Sequence, residues 1–369
     1  MRGGEKVVEE LCRMFPDAEI FTLVCDREKL SPLLQSKTIH TSFLQRIPTA
    51  RRNYTKMLPL MPFALEQFDL QAFDLVISSE SGPAKAVITR PDALHICYCH
   101  SPMRYIWDHF HVYQGDLGRV GRFMMNLFAP LLRIWDVTTS ARVDAFAANS
   151  AHVGRRIRKF YRRDSMVVHP PVAVQDFDWQ QPREDFYLCA GQIVGYKRVD
   201  IAVEAFTKSG RRLIVIGEGP QRERLQRIAG SNIVFTGYQS FPVLRDHLQR
   251  CRALIFPGEE DFGILPVEAM AAGAPVIAFD SGGARETVTP ETGVRFKAQT
   301  IDSLNDAIDR FEASQGWFNP QTIRAHAETF GPEKFRRNMI ALIESALHAS
   351  RGGMSIAPAA KEQDTLPGE

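Results

Sequence analysis

Short apolar segments alternate with segments of helical periodicity along most of the 369-residue chain. In the second half, the runs "DFYLCAGQ", "RRLIVIGEG", "IVFTGY", "ALIFPG" and "PVIAF" indicate buried strands, and amphipathic segments such as "VDIAVEAFTKS" separate them. In the first half, "AEIFTLVC", "FDLVISS", "LHICYCH" and "VDAFAANS" also indicate strands. Strands that alternate with helices are typical of parallel sheets covered by helices. The pattern predicts an α/β protein with two doubly wound units.

Turn signals place the boundaries of these units. A Pro-Pro turn lies in "HPPVAV" at residues 169–174, and we predict a first domain at residues 1–165 and a second at residues 166–330. Gly331 and Pro332 introduce a late amphipathic helix, which we predict at residues 331–349. Residues 350–369 lack hydrophobic periodicity, which is typical of a disordered tail.

Composition limits the classes of function. The chain is 44% hydrophobic and 24% charged, and its formal net charge of +2 does not indicate a nucleic-acid partner. We expect no membrane span, because there is no apolar run of about 18 residues, and the first residues do not have the pattern of a signal peptide. The six cysteines have neither zinc-site nor disulfide spacing, which favours a reducing cytoplasm.

Two glycines, Gly3 and Gly4, open the first predicted helix. A glycine-rich turn of this kind normally follows a strand, so that its amides face a bound phosphate. Only Met1 and Arg2 precede it in this sequence. Either the start of the chain is placed downstream of a first strand, or the chain begins with a loose Gly-Gly pair.

The stretch "EEDFGILPVEAMAAGAPVIAF" carries two glutamates, Glu260 and Glu268, eight positions apart. The first follows the predicted strand "ALIFPG", at the edge of the sheet where doubly wound proteins bind ligands. We predict a short helix from about residue 266 to residue 272, with Pro266 at its first position and Glu268 in its first turn. Gly273 is placed to end that helix.

The start of this helix favours an anionic ligand. Gly263 precedes it, so backbone amides and the positive end of the helix dipole are exposed to a group such as a diphosphate. Glu260 would then face whatever is attached to the phosphate, and Glu268 would accept hydrogen bonds from a pair of sugar hydroxyls. The alternative is that Glu268 only stabilises the helix dipole and Glu260 is solvated.

These segments together resemble the retaining glycosyltransferases of family 4. The resemblance rests on the spacing of the two glutamates, on "GGARE" at residues 282–286, and on "GQIVGYKRVDIAVEAF", "VIGEGP", "ANSAHVGRRI", "CHSPMRYIWD" and "MRGGEKV". It implies the GT-B fold, two Rossmann-like domains that face a cleft, with a C-terminal helix that crosses back to the first domain. In relatives the glycine loop follows a first strand, which favours a chain start downstream of that strand. Within the family, the chain looks most like bacterial polysaccharide and O-antigen mannosyltransferases.

The resemblance implies catalytic roles for three residues. Glu260 would position the donor sugar, His100 would contact that sugar from the first domain, and Lys197 would neutralise the departing diphosphate. A lone histidine is often structural, and Lys197 also fits an exposed position at a helix start, so these alternatives stay open.

The resemblance also implies a set of donor-binding residues. Glu268 would hold the ribose hydroxyls, the backbone of residues 261–264 would hold the phosphate, and Tyr238 would either flank the base or pack in the core. Many relatives have an arginine where this chain has Gln192, so Arg198 or the Gln192 amide would replace its contact. The full set is Glu268, Asp261, Phe262, Gly263, Ile264, Arg198, Gln192, Gly3, Gly4 and Tyr238.

The expected reaction is transfer of a hexose, mannose from GDP-mannose, to a saccharide acceptor with retention at the anomeric carbon. The family is thought to use a same-face attack in which the leaving phosphate helps to deprotonate the acceptor, so no cofactor or metal is expected. The "DFD" at residues 176–178 matches the metal motif of a different glycosyltransferase fold, but it follows the Pro-Pro turn and indicates a linker. The alternatives are a UDP-sugar-dependent transferase, another enzyme class on the same fold such as an epimerase or a phosphorylase, and a non-catalytic partner subunit.

Three segments mix cations with apolar residues, at 43–63, 119–135 and 155–163. Such segments suit an anionic membrane surface or a polyprenyl-diphosphate-linked acceptor. They also fit a solvated face above an ordinary buried face. We therefore predict a cytoplasmic protein and leave contact with the cytoplasmic side of the inner membrane as an open alternative.

Overall fold

The computed structural model describes residues 3–50, 54–115 and 117–352. Parallel strands form one sheet in each of two domains, and a separate pair of strands accompanies the first. The strands are β1 (Ile20–Thr22), β2 (Ile39–Thr41), β3 (Leu75–Glu80), β4 (Leu94–Cys99), β5 (Ala145–Ala148), β6 (Met166–Val167), β7 (Tyr187–Ala190), β8 (Leu213–Ile216), β9 (Ile233–Gly237), β10 (Leu254–Phe256), β11 (Val276–Phe279) and β12 (Gly293–Phe296).

Helices cover these sheets and connect the strands. They are α1 (Gly3–Met14), α2 (Pro32–Gln35), α3 (Met61–Glu66), α4 (Phe110–Gly115), α5 (Arg119–Thr139), α6 (Ala151–Tyr161), α7 (Val199–Ser209), α8 (Arg222–Ile228), α9 (Phe241–Arg250), α10 (Ile264–Ala271), α11 (Ala284–Thr287), α12 (Ile301–Ala313), α13 (Pro320–Glu328) and α14 (Pro332–Gly352).

The first domain has a four-stranded parallel sheet in the order β3-β4-β5-β6. Every residue of β4 is buried, as its unbroken apolar run predicts. On one face of the sheet, Ile96 and Tyr98 pack with Val7 of α1 and with Phe335 and Met339 of α14. The C-terminal helix therefore crosses back and completes the core of the first domain.

The second domain has a six-stranded parallel sheet in the order β12-β11-β10-β7-β8-β9. Strands β7 and β10 are neighbours at its centre, where Leu188 is paired with Leu254. The chain winds outward in both directions from this pair, so the carboxyl ends of β7 and β10 border a crevice in which doubly wound sheets bind ligands. The α/β architecture with two doubly wound domains is confirmed.

Several predicted boundaries are wrong. β6 pairs with β5 of the first sheet, so residues 166–167 belong to the first domain and the border lies after them, not after residue 165. The first predicted strand is reduced to β1, and α14 continues beyond residue 349 to Gly352. The rest of the predicted tail, residues 353–369, lies outside the described residues.

The helix after β10 begins earlier than predicted. Gly263 has a φ of 79°, a conformation that glycine adopts without strain, and the helix starts at the next residue, Ile264. Pro266 is therefore its third residue and not its first. The position is still in the first turn, where the N–H that proline lacks has no intrahelical acceptor.

Only part of the basic run at residues 155–163 is engaged inside the protein, and Arg155, Arg158, Lys159 and Arg162 are exposed. Arg156 is buried, Arg163 donates to the carbonyl oxygens of Ser140 and Val143, and Arg158 pairs with Asp164. Contact of this run with a membrane surface therefore stays a prediction. No described helix is long and apolar enough to cross a membrane.

Candidate active site

The two loops that follow β7 and β10 bring Lys197 and Glu260 together. The Lys197 Nζ lies 2.8 Å from Glu260 Oε1, and both side chains are about one-fifth to one-quarter exposed. Burial alone would lower the pKa of Lys197, but the adjacent Glu260 carboxylate outweighs it and holds that pKa above its ordinary value. The structure thus places a charged lysine beside the carboxylate at the predicted ligand crevice.

Two glycines fix the loop that carries Glu260. The Gly283 N–H donates to the Glu260 carbonyl at 2.9 Å. A Cβ at Gly282 would lie 2.1 Å from the same carbonyl oxygen, and Gly282 has a φ of 61°, so a side chain there would displace the loop. The Ser281 hydroxyl donates to Glu259 at 2.6 Å. The "GGARE" segment therefore sets the backbone position of the loop.

Glu268 lies on α10 and faces the first domain. It is the fifth residue of the helix, so its predicted place in the first turn is wrong, for the same reason that the helix starts early. The carboxylate is nearly buried and accepts a hydrogen bond from Lys6 Nζ of α1 at 2.6 Å. The same ammonium lies 5.2 Å from the ring centroid of Phe241. Lys6 was not identified from the sequence, although it directly follows the "GGE" that marked the glycine loop.

The first domain contributes His100, Gly3 and Gly4 to this crevice. His100 follows β4, and its Nε2 lies 2.9 Å from the Ser79 hydroxyl oxygen. A Cβ added at Gly4 would lie 3.5 Å from that Nε2, and one at Gly3 would lie 2.7 Å from the Ile264 side chain. The two glycines, which lie in the first turn of α1, therefore fit between His100 and the start of α10. Burial lowers the pKa of His100 to about 4, so the imidazole is neutral near pH 7.

Asp261 points across the domain border to two arginines. Its carboxylate accepts hydrogen bonds from Arg104 Nε at 2.8 Å and from Arg156 Nη1 at 2.7 Å. Its carbonyl oxygen accepts one from the Ser150 hydroxyl at 2.6 Å. The carboxylate side chain is only 10% exposed. Neither arginine was predicted as a site residue, although both lie in segments that carried the family resemblance.

A second contact joins the domains at the start of α6. Glu286 accepts hydrogen bonds from the backbone N–H groups of Ala151 at 2.8 Å and His152 at 2.9 Å. Burial acts to raise the pKa of Glu286, but hydrogen bonds from His169 and these two amides outweigh it and hold the pKa below its ordinary value. The carboxylate is therefore ionised and caps the helix from the opposite domain.

The remaining predicted residues lie around this centre. Phe262 is buried and packs near the rings of His169 and Phe330. Arg198 has a φ of 50° just before α7 and pairs with Asp200 at 3.2 Å. Gln192 is exposed after β7.

Tyr238 follows β9, the edge strand of the sheet, and is 80% exposed. Its ring therefore does not pack in the core, which was the alternative to a contact with the base.

Over residues 3–50, 54–115 and 117–352, no group of three or more His, Cys, Asp or Glu side chains is placed to hold a metal ion. The "DFD" segment lies in a turn, where the Asp178 carboxylate accepts a hydrogen bond from the Gln180 N–H at 2.9 Å. Metal independence remains a prediction.

Two family models match adjacent parts of the chain. Residues 1–176 match Glycosyltransferase Family 4, and residues 175–328 match Glycosyl transferases group 1. The border between the matches coincides with the passage from the first sheet to the second.

Named relatives match shorter segments. A GDP-mannose-dependent monoacylated alpha-(1-6)-phosphatidylinositol monomannoside mannosyltransferase of Corynebacterium glutamicum is 29% identical over 136 residues, 32% of this chain and 36% of the relative. An O-antigen chain mannosyltransferase of Salmonella typhimurium is 28% identical over 176 residues, 42% of this chain and 50% of the relative. The aligned segments therefore span between about a third and a half of these relatives.

The fold has solved counterparts. The structure of HepE from Anabaena in complex with UDP superposes with a TM-score of 0.68 at 14% identity, over 93% of this chain and 96% of that one. At this identity the likeness bears on the fold alone. The two family models, which together match residues 1–328, show that this chain belongs to the family 4 glycosyltransferases, and the superposition supports its GT-B fold.

Proposed function

We propose that the protein transfers mannose from GDP-mannose to a saccharide acceptor with retention of configuration. The observation that carries the proposal is the Lys197–Glu260 pair at the carboxyl ends of β7 and β10, next to the start of α10. A lysine, a carboxylate and a helix N-terminus at this edge suit a sugar diphosphate. The name of the Corynebacterium relative supports GDP-mannose as the donor.

The charges of the crevice favour departure of the diphosphate. Lys197 carries a positive charge in a partly buried position, and the amides at the start of α10 add the positive end of a helix dipole. Both act on the negative charge that develops on the leaving phosphate, and fixed donors in a poorly hydrated site act more strongly than donors in water. Glu260, held by Lys197, accepts hydrogen bonds from sugar hydroxyls, and Glu268, held by Lys6, accepts those of the ribose.

His100 contacts the donor sugar as a neutral imidazole. Its pKa of about 4 keeps the imidazole uncharged, so it offers a hydrogen bond to the donor without adding positive charge to the sugar. In the proposed same-face reaction, the leaving phosphate takes the proton of the acceptor hydroxyl. The protein then needs neither a separate general base nor a metal ion.

We further propose a lipid-linked saccharide, presented on the cytoplasmic face of the inner membrane, as the acceptor. The names of the relatives support this choice, because one acts on a phosphatidylinositol mannoside and another on an O-antigen chain. A specific observation favours a second candidate, a UDP-sugar donor: the superposed Anabaena protein was solved with UDP.

The test is donor turnover by the purified protein. GDP-mannose, UDP-glucose and UDP-galactose are each supplied with a lipid-linked acceptor, and the released nucleotide and the product anomer are measured. We expect GDP release and an α-mannoside, and both rates should fall about a hundredfold in Glu260→Gln. The matched control is Glu328→Gln, which removes a carboxylate that pairs with Arg324 at the surface. UDP release alone would select the second candidate, and binding without turnover of any donor would select the non-catalytic subunit.

A further inference from the structure

The longest helix of the first domain, α5, turns an apolar face outward. Val120, Phe123, Leu127, Leu131 and Ile134 are spaced by three or four residues and therefore share one side of the helix. Each of these side chains is more than half exposed. Surface helices normally turn such a stripe toward the core.

Contacts on the opposite side fix this orientation. Ala129 and Leu132 pack with Met103 and Ile106 in a small core cluster. The single carboxylate of the helix, Asp136, is fully buried and accepts a hydrogen bond from Trp107 Nε1 at 2.7 Å. The helix thus buries its acidic group and exposes its apolar stripe, so rotation about its axis would break an internal network.

The exposed apolar side chains of the protein are concentrated here. Among the described residues, 22 large hydrophobic side chains are exposed, and ten of them lie between residues 112 and 137. Soluble monomers scatter such side chains, and a contiguous apolar surface of this kind marks an interaction site. The neighbouring α4, which contacts α5, adds Val112. We call the outward faces of α4 and α5 the apolar surface.

The exposed charged side chains of α5 are positive. Within α5, Asp136 is the one acidic residue, and it is buried. Asp116, between α4 and α5, lies outside the described residues. Arg119 and Arg122 are exposed at the start of α5. Apolar side chains flanked by arginines fit an anionic phospholipid surface. Two copies of α5 packed through this stripe would bring Arg119 and Arg122 to each other with no exposed carboxylate of α5 to pair with them, which disfavours a dimer through this helix.

The apolar surface continues to the mouth of the candidate active site. A cavity of about 360 Å³ between the domains is lined by His109 and Val112 of the first domain and by Arg198, Glu259 and Gln299 of the second, among others. Val112 thus belongs both to the apolar surface and to the cavity. A bilayer against α4 and α5 would hold the mouth of the cleft at the headgroup level.

We propose that the apolar surface docks the protein on an anionic phospholipid bilayer, so that the cleft meets an acceptor saccharide anchored in the same bilayer. The docking surface stands on its own observations, and the role given to the acceptor rests on the proposed function. Phe123, Leu127 and Leu131 enter the acyl boundary, and Arg119 and Arg122 contact phosphate groups.

The test is sedimentation of the full chain with vesicles of phosphatidylcholine, with and without phosphatidylglycerol. We expect binding to the anionic vesicles, and a loss of at least tenfold in the partition coefficient for the triple variant F123S/L127S/L131S. The matched control is I228S/V234S, which removes two exposed apolar side chains of the second domain and leaves binding within twofold. Thermal melting verifies that both variants are folded.

Three outcomes would overturn the proposal. The first is no binding of the wild-type chain to either vesicle, and the second is wild-type binding by the triple variant. The third is a wild-type dimer that becomes monomeric in the triple variant with unchanged vesicle binding, which would assign the surface to a second copy. The triple variant should keep its transfer rate toward a water-soluble acceptor. Vesicle binding that depends on α5 without transfer to any acceptor supports docking and refutes the proposed function.

Discussion

Replacing Asp261 by asparagine should release the two domains from each other. The carboxylate lies between Arg104 and Arg156 of the first domain, on a loop of the second. An asparagine side chain at this position would have almost the same shape and could keep one accepted hydrogen bond. It would leave two guanidinium groups facing each other without the negative charge that separates them now.

The size of the effect follows from the geometry. Two unit charges about 4 Å apart interact by about 4 kcal/mol at an effective dielectric constant of about 20. Removal of one partner from a buried pair costs about 3–5 kcal/mol, because the other partner remains desolvated. The Asp261 side chain is 10% exposed and that of Arg156 is 8% exposed, so the site meets the condition of burial. We therefore expect the closed arrangement to lose about 3 kcal/mol or more.

Hydrogen exchange reports this loss directly. The N–H groups of Ala151 and His152 donate to Glu286 across the same border, so opening of the domains exposes them to solvent. A loss of about 3 kcal/mol corresponds to exchange about a hundredfold faster at these amides. The matched control is Asp164→Asn, whose pair with Arg158 is about three-quarters exposed, and it should leave exchange unchanged. Exchange within twofold of the wild type in Asp261→Asn would refute the reasoning.

Three further predictions concern the crevice. Glu260→Gln should lower the transfer rate about a hundredfold. Its melting temperature should match the wild type, because backbone contacts hold the loop. A transfer rate within threefold of the wild type would contradict the role of Glu260. Glu268→Gln should raise the KM for the donor about tenfold and change kcat little, as measured by initial rates, whereas a fall in kcat alone would oppose a ribose contact. His100→Gln should flatten the pH dependence of stability measured by urea unfolding. The pKa of His100 in the folded chain is about 4, below the ordinary 6.5, so the unfolded chain binds a proton first as the pH falls. The free energy of unfolding of the wild type should therefore decrease by about 1–2 kcal/mol from pH 7 to pH 5. The same pH dependence in His100→Gln as in the wild type would contradict the prediction.

Local pattern was sufficient to predict most of the second domain. The helix predicted from "VDIAVEAFTKS" has the observed bounds of α7, because its amphipathic face and the glycine that follows it are both local signals. β6 was missed because two residues give no periodicity, and its place in the first sheet depends on pairing with β5. The prediction for α10 failed by two residues because the left-handed conformation of Gly263, and not Pro266, sets its start.

The candidate site residues that were named from the sequence are those on loops that follow predicted strands. Glu260 and His100 follow strands β10 and β4, Lys197 lies on the loop between β7 and α7, and the structure brings Lys197 and Glu260 into contact. The partners that connect the domains could not be derived in this way. Lys6 and Glu268 are 262 positions apart, and Arg104 and Asp261 are 157 apart, so these pairs exist only once both domains are packed.

The orientation of α5 could not be predicted from the sequence either. An apolar stripe has the same periodicity whether it faces inward or outward. What distinguishes the two cases is Asp136, whose buried contact with Trp107 can be seen only in the folded chain.

The crossing of α14 back to the first domain has a consequence for folding during translation. Phe335, Met339 and Leu342 cover sheet residues that end at Val168, so about 170 residues must be translated before that cover exists. At about 5–20 residues per second this takes roughly 10–30 s. During that time the nascent first domain presents an apolar sheet face that α1 covers only in part, and such a face is a substrate for chaperones. The domain that is translated first is thus the one whose core is completed last.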